Sequence, residues 1–232
     1  MNSAEERYTS GRYLHDHPAW HVEDSAWKAA HILKMLYRHQ LQPTQICEVG
    51  CGAGEVLVQV QQAFPQARLQ GWDISPQAIE LACTRTNPHL HFSCGNYLHS
   101  ELAATDLLLV LDVFEHVENY FDFLRQLRGR AEYTIFHIPL DLSVQAVWRG
   151  LLLRWREQVG HLHYFTRELA LQTLRDTGYE IVDDFYTAYA IDRPAPSLKA
   201  QFARGPRRLA YALNPDWAAR VLGGFCLLVL AR

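Results

Sequence analysis

The segment Ile46-Cys47-Glu48-Val49-Gly50-Cys51-Gly52-Ala53-Gly54-Glu55 constrains the fold more than any other stretch of the chain. An apolar run of strand length breaks into three glycines at alternate positions, and from Val56 to Phe64 the apolar residues return with helical spacing. Glycine reaches left-handed backbone conformations without a Cβ penalty, so this pattern predicts strand, tight turn and helix, with room for a ligand against the backbone. Asp73 closes the next predicted strand, Arg68 to Asp73, the position where a carboxylate accepts hydrogen bonds from both hydroxyls of a ribose. A dinucleotide fingerprint would place a third glycine where Glu55 stands, and a carboxylate at a helix N-terminus repels a pyrophosphate. The ligand expected here carries no phosphate.

Strand and helix patterns alternate along the rest of the chain. Ala29, Ile32, Leu33 and Leu36 share one face of a predicted helix from Ser25 to Gln40. Ser75-Pro76 is a helix start, Leu90 to Cys94 a third strand, and Leu107 to Leu111 an unbroken apolar run of the kind a strand covered on both faces requires. Val117 to Leu127 reads as a helix and Ala131 to Ile138 as a strand. Thr166 to Asp176 follows as a helix with Gly178 just past its end, before two last strands near Glu180 to Tyr186 and Phe225 to Leu230. This order predicts an α/β fold built on a doubly wound, mostly parallel sheet. Nothing in the 232 residues marks a domain boundary, so one domain is expected. The apolar run Val221 to Ala231 is short of the ~20 residues that span a bilayer and is expected to form a buried strand.

Net charge is −3, which gives no global field to recruit nucleic acid. Five cysteines form no C-x-x-C pair, and the polar start Met1-Asn2-Ser3-Ala4-Glu5-Glu6 lacks the apolar core of a signal peptide, so a reduced, cytoplasmic setting is expected.

With Glu48-x-Gly50-x-Gly52-x-Gly54 after the first strand and Asp73 after the second, the sequence resembles the class I S-adenosylmethionine-dependent methyltransferases over nearly its whole length. The resemblance implies a single Rossmann-like domain of seven strands with an antiparallel last strand. Residues 1–44 would form an N-terminal lid and helix, 45–138 a cofactor-binding half and 139–232 an acceptor-side half. S-adenosylmethionine would be the cofactor and S-adenosylhomocysteine the product. By the same resemblance Glu48 would orient the methionyl ammonium and the turn of Gly50, Cys51, Gly52 and Gly54 would pass beneath the adenosyl group. Asp73 would bind the ribose, Ile74 would flank the adenine, and Leu111 and Asp112 would line the methionine portion. The turn after the third strand reads Gly95-Asn96-Tyr97, where the family often carries an acid, and Asn96 can still accept the adenine amino hydrogen through its amide oxygen.

Asp112-Val113-Phe114-Glu115-His116-Val117 is similar to the strand-four motif of quinone-biosynthesis methyltransferases and implies a small-molecule acceptor. His116 is the expected general base with Glu115 orienting it, and His161 and His163, in a G-H-x-H-Y segment, are the second choice. No metal is expected, with Asp112, Glu115 and His116 kept as a minor alternative because some quinone methyltransferases hold a divalent ion with that spacing. His15, His17, His89 and His91 are read as surface or packing residues, and Tyr13, Trp20, His21 and Trp27 as lid or packing aromatics. Arg193 to Arg220 carries six basic residues against Asp216; it reads as a solvated helical excursion, with contact to a membrane surface or to an acidic acceptor as the alternative. Two further function classes stay open: a nicotinamide-dependent reductase and a non-catalytic cofactor-binding partner subunit.

Overall fold

The computed structural model describes residues 3–16, 20, 22–101, 104–193 and 198–232. Three helices precede the sheet: α1 (Ser3–Thr9), α2 (Arg12–Asp16) and α3 (Val22–Arg38). Then come β1 (Gln45–Val49), α4 (Glu55–Ala63), β2 (Arg68–Asp73), α5 (Pro76–Cys83), β3 (Leu90–Cys94), β4 (Thr105–Leu111), α6 (Tyr120–Leu127) and β5 (Ala131–Pro139). After β5 come α7 (Val144–Trp148), α8 (Leu151–Gln158), α9 (Arg167–Asp176), β6 (Ile181–Thr187), α10 (Tyr189–Asp192), α11 (Leu198–Leu213), α12 (Pro215–Leu222) and β7 (Cys226–Ala231). The seven strands form one sheet in the order β3-β2-β1-β4-β5-β7-β6. The first five pair in parallel, and β7 lies antiparallel to both β5 and β6, as the resemblance implies.

The burial of β4 shows why its apolar run is unbroken. Leu108 and Val110 point into one core, with Phe123, Leu124 and Leu127 of α6 and Ala170, Leu171 and Leu174 of α9. Leu107, Leu109 and Leu111 point into the other, with Ile32, Met35 and Leu36 of α3 and Leu57 and Val60 of α4. Alternating side chains serve opposite faces, so a strand covered by helices on both sides has no polar position.

The punctuation read from sequence holds in detail. The Ser75 hydroxyl accepts from the Ala78 N–H at the start of α5, Thr166 caps α9 through the Leu169 N–H, and Gly178 takes a left-handed φ of 94° just beyond α9. Some boundaries differ: the helix read from Val117 begins at Tyr120, with Asn119 as its cap. The first long helix begins at Val22 rather than Ser25, with Asp24 and Ser25 buried in its opening turn. The apolar run from Val221 is divided: Val221 and Leu222 end α12, Gly223 and Gly224 turn the chain with φ of 60° and 80°, and the strand starts at Cys226. Glycines in that run are what stop helix from continuing into strand.

Candidate active site

A cleft of about 800 Å³ opens at the carboxyl ends of β1, β2, β4 and β5. It sits where β1 is flanked by β2 on one side and β4 on the other, the reversal point of the sheet and the usual binding crevice of open α/β folds. Gly50, Gly52 and Gly54 all adopt positive φ, of 73°, 53° and 80°. The N–H groups of Gly50 and Cys51 donate to the Trp72 carbonyl at 2.7 and 3.0 Å, which ties the turn to the end of β2. Asp73 completes the tie: its two oxygens accept from the N–H groups of Gly52 at 2.9 Å and Ser75 at 2.8 Å. Burial pushes its carboxyl up, and the backbone donors pull it back. Each carboxylate oxygen keeps lone-pair capacity for a ligand hydroxyl.

Glu48 is 2% exposed, and its Oε2 has no hydrogen-bond partner. Burial raises its carboxyl to about 8, with nearby Lys28 opposing. A buried acid with an unpaired oxygen beside a ligand cleft is a receptor for a cation or a donor. The set therefore fits S-adenosylmethionine: an anchored acid for ribose hydroxyls, an unpaired acid for an ammonium, and a glycine turn for close backbone approach. It does not fit a pyrophosphate, because Glu55 occupies the first turn of α4 and is held there by Arg85 at 2.8 Å. Asn96 lines the cleft with its amide oxygen accepting from the Leu98 N–H at 3.0 Å, leaving one lone pair. Ile74 and Leu111 line it as well. Tyr97 reaches the cleft wall but is otherwise buried, its ring beside Trp72 and under the Arg130 guanidinium.

Asp112 follows β4 with a positive φ of 54°. One of its oxygens lies 2.6 Å from the Lys28 ammonium and the other 2.6 Å from His137 Nδ1. Burial opposes its ionisation, yet His137 and Lys28 outweigh that and hold the carboxyl well below the usual carboxylate range. Its capacity is taken, which removes it from the alternative metal set Asp112, Glu115 and His116. The group that joins Glu115 and His116 instead is His161: one ligand atom from each of the three lies within 4.8 Å of the others.

His116 Nδ1 faces the Gly160 carbonyl at 3.1 Å and the Tyr8 hydroxyl at 2.9 Å, while that hydroxyl donates to the Val159 carbonyl. Burial lowers the imidazole to about 3, so His116 is neutral with its proton on Nδ1 and its Nε2 lone pair free. That makes it a hydrogen-bond acceptor and a weak proton acceptor in the place where the general base is expected from sequence. Glu115 does not orient it through a hydrogen bond: its carboxylate lies 3.9 Å from His116 Nε2. His161 lines the cleft with Nδ1 on Asp141 at 2.5 Å. His163 departs from the catalytic assignment. Its Nε2 donates to the Val117 carbonyl at 3.0 Å and its ring lies on Tyr120, so it pins the 160–165 loop to the turn after β4. The Glu115 carbonyl, accepting from the N–H groups of Leu162 and His163, does the same from the backbone.

Lys28, His137, Asp141 and Tyr8 were missed. Lys28 had a sequence signal, a charged residue among the apolar positions of α3, and Asp141 had another, an acid just past the end of β5. Of the aromatics, Tyr13 and Trp20 line the cleft, and Trp20 lies over Gly52 so closely that a Cβ there would come within 2.6 Å of Trp20 Cδ1. Trp27 packs beside His137 and Tyr189. His15, His89 and His91 are exposed, as expected. His17 and His21 lie outside the described residues, as do the side chains of Asp16, Leu198 and Lys199. Most of the basic stretch forms α11 and α12, with Phe202 82% exposed. Among the described residues no helix is long and apolar enough to cross a membrane.

Residues 47–132 match the family described as Methyltransferase domain, and the sheet order and glycine turn are those of the methyltransferase fold. The chain is 27% identical over 133 residues to a trans-aconitate 2-methyltransferase of Afipia carboxidovorans, a stretch that covers 56% of this chain and 50% of that one. The chain thus spans about half the length of that relative. Two solved structures share the fold across the chain. The N-methyltransferase NodS from Bradyrhizobium japonicum WM9, in complex with S-adenosylhomocysteine, has a TM-score of 0.64 at 19% identity, covering 100% of this chain and 98% of its own. The magnesium protoporphyrin IX methyltransferase of Synechocystis PCC 6803, also with S-adenosylhomocysteine bound, has a TM-score of 0.62 at 16% identity, covering 98% and 96%.

Proposed function

We propose that this chain binds S-adenosylmethionine in the cleft and transfers its methyl group to a nucleophilic atom of a small organic acceptor that carries little or no negative charge. The observation that carries the reading is the joint geometry of Gly52, Asp73 and Glu48. One acid is fixed by backbone donors with lone pairs to spare, and a second is buried with an oxygen unpaired. When bound, the cofactor supplies an electrophilic methyl group on a sulfonium. The chain's own residues bind and orient. Asp73 takes the ribose hydroxyls, Glu48 takes the ammonium, Gly50 to Gly54 give backbone contact, and Tyr8, Tyr13 and Trp20 exclude water. His116 presents its Nε2 lone pair toward the acceptor space.

Acceptor charge follows from the cleft lining. Among the described lining residues Lys28 is the sole lysine or arginine, and it is bound to Asp112, whereas Asp24, Glu118, Asp122 and Asp141 add carboxylates. A tricarboxylate of the kind named for the Afipia relative would meet repulsion here without a guanidinium to receive it. Isothermal titration with S-adenosylhomocysteine and with NADPH tests the cofactor: micromolar binding of the first alone is expected, and binding of NADPH alone overturns the reading. A radiolabelled methyl screen of neutral, cationic and tricarboxylate acceptors then tests the acceptor class.

A further inference from the structure

Glu115, His116 and His161 converge without bonding one another. Glu115 is 1% exposed, and neither of its carboxylate oxygens has a hydrogen-bond partner. The nearby cation, Lys28, already sits 2.6 Å from Asp112, and the neighbouring charges of Asp112 and Asp141 only make an unpaired anion less favourable. Buried ionised groups are ordinarily paired or bound to metal.

The two imidazoles are prepared in the same sense. His161 Nδ1 lies against the Asp141 carboxylate at 2.5 Å, so its proton is on Nδ1. His116 Nδ1 lies against the Gly160 carbonyl, which only accepts, so its proton is also on Nδ1. Both rings therefore keep their lone pair on Nε2. A carboxylate or carbonyl holding the far N–H of an imidazole is the arrangement that orients metal-ligating histidines. Two imidazole lone pairs and a carboxyl group whose two oxygens have no hydrogen-bond partner leave the place of a positive centre. His116 and His161 both line the cleft, so coordination positions not taken by protein face the acceptor space.

We propose that Glu115, His116 and His161 bind one first-row divalent cation of borderline character, Zn²⁺, Co²⁺ or Fe²⁺, with Asp141 positioning His161. Two imidazoles and one carboxylate favour such ions over Mg²⁺ or Ca²⁺, which take oxygen ligands. The open positions receive water or an oxygen of the acceptor. The site stands on its own ligand geometry; only its contact with an acceptor rests on the proposed methyltransferase function.

The test is titration of the EDTA-stripped chain with CoCl₂, read by visible d–d absorption, without cofactor present. One Co²⁺ per chain is expected, displaced by equimolar Zn²⁺ and unaffected by millimolar Mg²⁺. Glu115→Gln and His161→Ala are expected to abolish the absorption and leave S-adenosylhomocysteine affinity within about twofold, and Asp141→Asn to weaken Co²⁺ binding roughly 10- to 100-fold. Absence of stoichiometric Co²⁺ binding, or Co²⁺ binding unchanged in both Glu115→Gln and His161→Ala, overturns the site. Co²⁺ binding lost in those variants, in a chain that never binds S-adenosylhomocysteine, upholds the site and overturns the methyltransferase reading instead.

Discussion

The Lys28 ammonium, on α3, and the Asp112 carboxylate, just past β4, lie 2.6 Å apart at the floor of the cleft. Burial works against the charge on Lys28, and Asp112 outweighs it, so the lysine remains protonated through the ordinary pH range. The same carboxylate receives His137, whose Nε2 contacts the Thr187 hydroxyl at 2.9 Å. Helix α3 is thereby locked to β4, β5 and β6 through one acid.

Replacing Lys28 with Met leaves Asp112 to His137 alone. Breaking a fully buried pair costs about 3–5 kcal/mol; with the side chains here 18% and 24% exposed, a loss of about 2–3 kcal/mol is expected. Urea unfolding measures it. Adding Asp112→Asn to that variant should recover part of the loss, and a double variant less stable than Lys28→Met alone would contradict the assignment.

Asp73→Asn keeps the shape of the side chain and removes the charge that accepts from Gly52, Ser75 and a ribose. Hydrogen bonds to charged groups contribute about 1.5–3 kcal/mol, so S-adenosylhomocysteine affinity should fall about 10- to 100-fold. Calorimetry reads it directly; an unchanged Kd would remove Asp73 from the ribose site.

Glu48 gives the chain a pH signature. Its folded carboxyl titrates at about 8 against 4.5 ordinarily, so between those values the folded state holds a proton that the unfolded state has lost. Stability of the cofactor-free protein should therefore decline as pH rises through that window, by about 3–6 kcal/mol in all. Glu48→Gln should flatten the profile. Binding of the cofactor's ammonium should expel the proton, so calorimetry at pH 7 in buffers of different ionisation enthalpy should show release of close to one proton in the parent chain and none in Glu48→Gln.

Gly52→Ala meets two obstacles, a left-handed φ of 53° and a Cβ within 2.6 Å of Trp20 Cδ1. The backbone term alone is about 1–2 kcal/mol. Trp20→Ala in the same chain should restore only the part due to the clash, and melting temperatures of the single and double variants separate the two.

What sequence made legible is what is local or periodic. The β4 run, the Ser75-Pro76 start and the glycine turn each carry their reason in adjacent residues. Asp73 was legible because strand and turn fix where its carboxylate falls. The inner cleft was harder, because its pairs join distant segments: Lys28 with Asp112, Asp112 with His137, His161 with Asp141. The spacing of Asp112, Glu115 and His116 suggested one cluster, but a positive φ at Asp112 turns its carboxylate toward α3, and the loop before α9 brings His161 into the place left. His163, two residues on, points the other way and holds that loop down.

The placement of β7 also orders events in time. Among the described residues β6 has its sheet partner only in β7, and the outer edge of β5 stays uncovered until β7 inserts between them. During synthesis each of β2 to β5 emerges after a strand it pairs with, whereas the outer edge of β5 waits open while roughly ninety further residues are made. An open strand edge invites pairing with other chains. Translation through α7 to α12 is therefore the interval in which this protein most needs a chaperone, and a ribosome stalled there would hold out a half-finished sheet.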